Sequence, residues 1–355
     1  MADAFGAYVH IPFCAKRCDY CAFATWTDRH HLIDSYVNAL LADIRRHVSA
    51  EMPTVDTVFV GGGTPTLLEP ASLAKVIAAI PVAANAEITV ECNPDDVTPE
   101  MMRIFADVGV NRVSIGVQSM VPEVLVSLGR THVPANVTRA VDAVRSAGIV
   151  SFNLDLIYGG AGERLVDWER TVTGALALDP PHVSAYALTI EAGTPLASQP
   201  ERHPDDDDLA DKYEMVDDML SAHGLANYEV SNWARDGYEC RHNLLYWHQL
   251  DYQGFGCAAH SHRNGRRFWN VRTPDRYIDL LEANESVEAA GEELDAAARR
   301  AEGLQLQLRL REGVPREALD GEALPGVVEL HNNRWVLTQR GRLMANDVSL
   351  RLKDA

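Results

Sequence analysis

Six short runs rich in β-branched and aromatic residues recur along the first half of the chain. An amphipathic stretch separates each from the next, and this alternation limits the fold more than any other feature. The runs are 7–11 (AYVHI), 55–60 (VDTVFV), 87–91 (EITVE), 112–117 (RVSIGV), 150–157 (VSFNLDLI) and 182–188 (HVSAYAL). The amphipathic stretches lie at 34–48, 70–80, 99–107, 135–147 and 165–178. In TPEMMRIFADVGV, Pro99 fits a helix's first turn and Gly109 its end. NVTRAVDAVRSAGIV closes the same way, at Gly148. Strands alternating with helices of this length pair in parallel. The expected fold is α/β, a partial (β/α)6 barrel.

Barrel sites are built at the C-terminal ends of strands, and the unusual residues fall there. Cysteines follow the first run, GGGTPT (61–66) the second, and ECNP (91–94) closes the third. Gln118 and Ser119 follow the fourth, and Asp155 lies in the fifth just before IYGG. One site is assembled from many strands.

Beyond residue 200 the pattern changes. Three regions are expected: a barrel core over 1–200, an elaboration over 201–285, and a mostly helical, winged-helix-like unit over 286–355. The elaboration holds a strand-like ANYEVSNW and a stretch dense in His and aromatics. HPDDDDLADKYEMVDDML reads as an N-capped, solvated helix. The net charge of −19 argues against nonspecific nucleic-acid binding, which rests on Lys and Arg at phosphates. Six clustered cysteines in 355 residues do not resemble a secreted disulfide framework. No apolar run reaches the ~18 residues of a transmembrane span, and the expected compartment is the reducing cytoplasm.

The segment YVHIPFCAKRCDYCAF places Cys14, Cys18 and Cys21 within eight residues. A tetrahedral zinc site takes four ligands and a disulfide two. A cubane iron–sulfur cluster offers four irons, so three thiolates would leave one iron open to a small ligand. Three unconnected thiols, or zinc with a distant fourth ligand, are the alternatives.

The C-x3-C-x2-C loop after a first strand resembles the radical S-adenosylmethionine (SAM) superfamily. YVHIPFC, VFVGGGTPT, ECNP, GVQS and NLDLIYG together resemble the group that holds the oxygen-independent coproporphyrinogen III dehydrogenase and its haem-chaperone relatives. The likeness runs from about residue 7 to the C terminus. It implies a [4Fe–4S] cluster on Cys14, Cys18 and Cys21, with SAM chelating the open iron. It also implies SAM contacts from Tyr8, Gly62, Gly63, Thr64, Glu91, Gln118, Arg130 and Asp155. The glycines would let backbone approach the methionyl amino group, and Arg130 suits its carboxylate.

Two departures separate the branches. The dehydrogenase pattern adds a fourth cysteine where this chain has Phe23, and carries an extension before its first strand. Both favour the haem-chaperone branch, whose haem-linked HNxxYW motif is resembled by HNLLYW. That likeness makes His242, Asn243, Tyr246 and Trp247 haem candidates, with His242 the first axial ligand to consider. Cys240, His248, Cys257, His260 and His262 lie nearby, and zinc binding by these residues is an alternative. The loop YGGAGER (158–164) departs from the group's YGLPGQT-like turn. The implied function is binding haem and passing it to haem-requiring proteins of the respiratory chain at the membrane. Radical decarboxylation of coproporphyrinogen III in porphyrin metabolism is the alternative.

Overall fold

The computed structural model describes residues 4–353. The six predicted runs form β1 (Phe5–Ile11), β2 (Val55–Gly62), β3 (Val82–Cys92), β4 (Arg112–Gln118), β5 (Ser151–Tyr158) and β6 (His182–Ala187). Each pairs in parallel with the next. Between them lie α1 (Ile33–Ser49), α2 (Pro70–Ala78), α3 (Pro99–Asp107), the short α4 (Pro122–Ser127), α5 (Pro134–Ser146) and α6 (Leu165–Leu176). The Thr98 hydroxyl caps α3 by accepting the Met101 N–H at 3.2 Å.

The strands present two different faces. Val9, Val58, Val60, Val113, Ile115 and Leu154 are fully buried in the apolar layer beneath the helices. Burial of each such side chain contributes roughly 1.5–3 kcal/mol. The opposite face is polar. Register places Phe59, Thr89 and Arg112 side by side with Tyr8, and Glu91, Ser114, Asn153 and His182 in a second row.

After β6 come α7 (Asp206–Ala222), the hairpin β7 (Ala226–Glu229) and β8 (Asn232–Ala234), and α8 (Arg241–Trp247). β9 (Asp251–Phe255), β10 (His260–Arg263), β11 (Arg266–Asn270), α9 (Pro274–Glu282) and β12 (Glu288–Glu293) follow. All twelve strands form one sheet, ordered 12-11-10-9-1-2-3-4-5-6-8-7, whose ends do not meet. β9 pairs in parallel with β1. It is a seventh parallel strand that the sequence reading does not place, because DYQGF is short and interrupted by a glycine. The acidic helix α7 starts as expected, with Asp205 accepting the N–H groups of Asp207 and Asp208.

Over residues 286–353, β12 belongs to the large sheet, pairing with β11. Beyond it, α10 (Ala296–Gln307), β13 (Val314–Pro315), β14 (Val328–His331), β15 (Arg334–Leu337), α11 (Gln339–Leu343) and α12 (Ala345–Ser349) pack around a second core. Leu308, Val314, Trp335 and Val348 are buried in it. The small sheet, ordered 13-15-14, gives this region more strand than its composition suggests. Its strands of two to four residues are too short to show an alternating pattern.

Candidate functional site

The loop after β1 is closed by backbone bonds. The Cys14 N–H donates to Trp26 O at 3.1 Å, and the Trp26 N–H to Pro12 O at 2.7 Å. Cys21 N–H returns to Cys18 O, while the Arg17 guanidinium donates to Cys21 O at 3.0 Å. All three cysteines carry free thiols and line one cleft of about 520 Å3 at the C-terminal ends of the parallel strands. Two donors reach the sulfurs: the Thr64 hydroxyl at 3.6 Å from Cys14 Sγ, and Arg130 Nη1 at 3.7 Å from Cys18 Sγ. Burial pushes the Cys14 and Cys21 thiols up, and the Thr64 contact opposes it at Cys14. Among the described residues, no three of His, Cys, Asp and Glu are grouped to hold a single metal ion. The thiols surround a shared space, with positive charge and hydroxyl donors already facing their sulfurs, and this set fits a multi-iron cluster.

The glycine motif ending β2 packs against that loop. A Cβ on Gly63 would lie 2.6 Å from Phe13 O and 3.0 Å from Cys14 Sγ, so a side chain there would displace the cysteine loop. Gly62 has φ +109°, and its Cβ would strike the His10 ring. Its N–H instead donates to Glu91 Oε2 at 3.1 Å. Burial, then the nearby Asp155 carboxylate, pushes Glu91 up to about 7. Asp155 is itself raised by burial, against hydrogen bonds from the Ser114 hydroxyl at 2.7 Å and Asn153 Nδ2 at 2.8 Å.

Gln118 ends β4 with φ +59°, and Arg130 spans to β4 by donating to Gly116 O at 2.9 Å. Both line the cleft. In the departing loop YGGAGER, Glu163 folds back to accept the Gly159 N–H at 2.7 Å and pairs with the fully buried Lys212 of α7 at 3.2 Å. An internal ion pair thus shapes the turn that differs in sequence.

A smaller compartment of about 220 Å3 lies deeper in the barrel. Six residues, Phe23, Gly62, Glu91, Ser114, Asp155 and Tyr186, border both spaces, so the two adjoin. Tyr8 lines the deeper one, its hydroxyl 3.0 Å from His10 Nδ1. Of the four haem candidates, Asn243 lines it too.

The other three candidates are placed differently. α8 lies across the start of β1 and β2, and Gly6 admits it, since a Cβ there would meet Leu245 Cδ1 at 2.5 Å. The Glu87 carboxylate accepts the N–H groups of Arg241 and His242. His242 is fully buried. Its Nδ1 is 2.8 Å from the Thr57 hydroxyl and its Nε2 2.8 Å from the Tyr246 hydroxyl. The ring stacks on Phe59, and burial pushes it down to about 3. Neither nitrogen is free for iron in this arrangement. Tyr246 packs edge-on to Tyr252, and Trp247 borders neither cavity. Cys240 and Cys257 are buried, and His262 is tied to Leu250 O at 3.1 Å. His260 is exposed and stacked on Trp269. The sequence reading passed over Arg112, Asn153, Ser184 and Tyr186, although RVS, NLD and HVS carry an inward polar residue at every second position.

An open parallel barrel with a three-cysteine loop after its first strand defines a radical SAM protein. The profile described as the Radical SAM superfamily matches residues 8–173. The haem chaperone HemW of Mycobacterium tuberculosis is 42% identical, covering 97% of this chain and 93% of its own. HemW of Escherichia coli is 37% identical, covering 96% of each. The chain belongs to the HemW family. The solved structure of Escherichia coli coproporphyrinogen III oxidase (HemN) superposes with a TM-score of 0.86 over 98% of this chain and 89% of that one, at 21% identity. That likeness shows a shared fold.

Proposed function

We propose that this protein is a haem chaperone that holds a [4Fe–4S] cluster on Cys14, Cys18 and Cys21, binds SAM in the cleft, and carries haem to haem-requiring proteins. The observation that carries this reading is near-full-length identity of 42% and 37% to relatives named as haem chaperones. When bound, such a cluster supplies an open iron for the amino and carboxylate groups of SAM and a source of one electron. Thr64 and Arg130 would direct hydrogen bonds at its sulfurs. Glu91 and Asp155 would accept hydrogen bonds from ammonium or hydroxyl groups of SAM, and Gly62 and Gly63 would leave room for its methionyl end. Tyr8 and Gln118 would border it.

Phe23 favours the chaperone over coproporphyrinogen III decarboxylation. It is 69% exposed at the cleft mouth, where the decarboxylating branch places a cysteine. It offers a flat apolar face to a macrocycle and no thiol. The geometry of His242 moves the search for an axial ligand to side chains with an accessible donor atom, His260 first.

The test is to give the reconstituted protein haem and, separately, coproporphyrinogen III with SAM and reductant. A stoichiometric Soret band with no protoporphyrinogen IX is the expected outcome. Turnover at enzymatic rates would replace this reading with the decarboxylase. Acceptors at the respiratory membrane would be identified by transfer of bound haem to an apo-acceptor. Among the described residues no helix is long and apolar enough to cross a membrane.

A further inference from the structure

Tyr8, Gly62, Glu91 and Asp155, which are assigned to SAM, line one side of the smaller compartment, and the other side holds a charge with no role in that assignment. Arg112 is 2% exposed and lines it. Its Nε has no hydrogen-bond partner, and its guanidinium forms no ion pair among the described residues. The Glu87, Asp155 and Glu91 carboxylates lie near enough to favour its charge, but none of them reaches the guanidinium in a hydrogen bond or ion pair. Glu87 caps α8, and Asp155 accepts from Ser114 and Asn153. What the site lacks is an acceptor, and buried N–H groups left without one are costly unless a ligand supplies it. Asn243 from α8 and Tyr186 from β6 line the same space, whereas Asn153 and Ser184 beside them already donate to Asp155 and Asn232.

We propose that Arg112 and Asn243 form a subsite for a carboxylate on a short side chain, reached through the cleft. About 220 Å3 is below the ~300 Å3 at which ordinary ligand pockets begin. The compartment therefore accepts one acidic arm of a larger molecule lying in the cleft, or a small free acid, and not a macrocycle. Arg112 supplies the fork that pairs with both oxygens of a carboxylate. Asn243 gives the haem-linked motif a part in binding that its sealed histidine does not. The proposal deepens the haem-chaperone reading, since a haem propionate is one such arm.

Two probes separate the sources. Haem and haem dimethyl ester are titrated into the reconstituted full chain and into Arg112→Gln, and sodium propionate alone is tested for a rise in Tm. If the arm is a porphyrin propionate, the wild type binds haem at least tenfold more tightly than the ester, and Arg112→Gln binds both alike. If it is a small free acid, propionate raises the Tm of the wild type and not of Arg112→Gln. Should Arg112→Gln fail to fold, Asn243→Asp supplies an internal carboxylate, and it should raise the Tm and abolish both responses. A wild type that binds the two haems equally and ignores propionate overturns the subsite while leaving the chaperone reading standing. A wild type that binds no haem yet responds to propionate through Arg112 does the reverse.

Discussion

The two ends of the barrel use polar residues in opposite ways. At the mouth, thiols, Glu91 and Arg130 face a cleft and keep capacity to spare: three free sulfurs, a carboxyl held near neutrality and a buried, unpartnered Arg130 Nε. At the base, Thr57, His242 and Tyr246 form a closed chain in which each histidine nitrogen is occupied. Saturated networks hold elements in place, whereas unsaturated ones await a ligand. By that criterion α8 is a plug, and the mouth is the end that awaits a ligand.

The largest effect expected is at the mouth. Cys18→Ala should abolish the visible absorption and nearly all iron after anaerobic reconstitution, because two thiolates would leave a second iron without a protein ligand. Cys92, Cys240 and Cys257 are buried outside the loop, and their Ala variants should keep full iron. Retention of about four irons per chain in Cys18→Ala would put the cluster elsewhere and erase the contrast between the two ends.

At the base, His242→Ala should cost stability and spare chemistry. It empties the space against Phe59 and leaves the Thr57 and Tyr246 hydroxyls unpaired, together about 3 kcal/mol by denaturant unfolding. Iron content and the Soret position should not change. A shifted Soret band would show that α8 opens to expose the imidazole, and the base would then join the site.

The mouth was the more legible end. Cys14, Gly62, Glu91 and Asp155 stand where strands end, and parallel barrels converge strand ends on one point. The base was not legible, because its network joins residues distant in sequence: Thr57 with His242, Glu87 with Arg241, Tyr228 with His182. HNLLYW alone gives no sign of which nitrogen is occupied. Arg112 was overlooked for a different reason. A parallel strand buried on both faces normally reads as apolar throughout, and the pattern of RVSIGV does not tell which space its alternate polar residues face.

Glu91 gives the comparison a pH dependence. Its folded pKa of about 7 exceeds the ordinary 4.5, so the native state holds the proton more tightly than the unfolded chain. The stability this contributes is full below about pH 4.5 and is lost as pH rises through about 7. The span is at most about 3 kcal/mol, since the carboxyl borders the open cleft. Unfolding of cluster-free protein between pH 5 and 8 should show the decline, and Glu91→Gln should flatten it. An unchanged profile in Glu91→Gln would assign the decline to another group, Asp155 first, whose pKa is raised in the same direction.

The smallest effect expected is at a single sulfur. The Thr64 hydroxyl donates to Cys14 Sγ at 3.6 Å. Such a bond stabilises the more negative, reduced form of a cluster more than the oxidised form, so its loss should lower the potential. A weak hydrogen bond of about 0.5 kcal/mol corresponds to roughly 20 mV for one electron. Thr64→Val keeps the shape and removes the donor. Iron content should stay at the wild-type level while the midpoint potential falls by about that amount. An unchanged potential would show that Thr64 turns from the sulfur once the cluster is in place, leaving Arg130 at Cys18 as the donor that tunes the mouth.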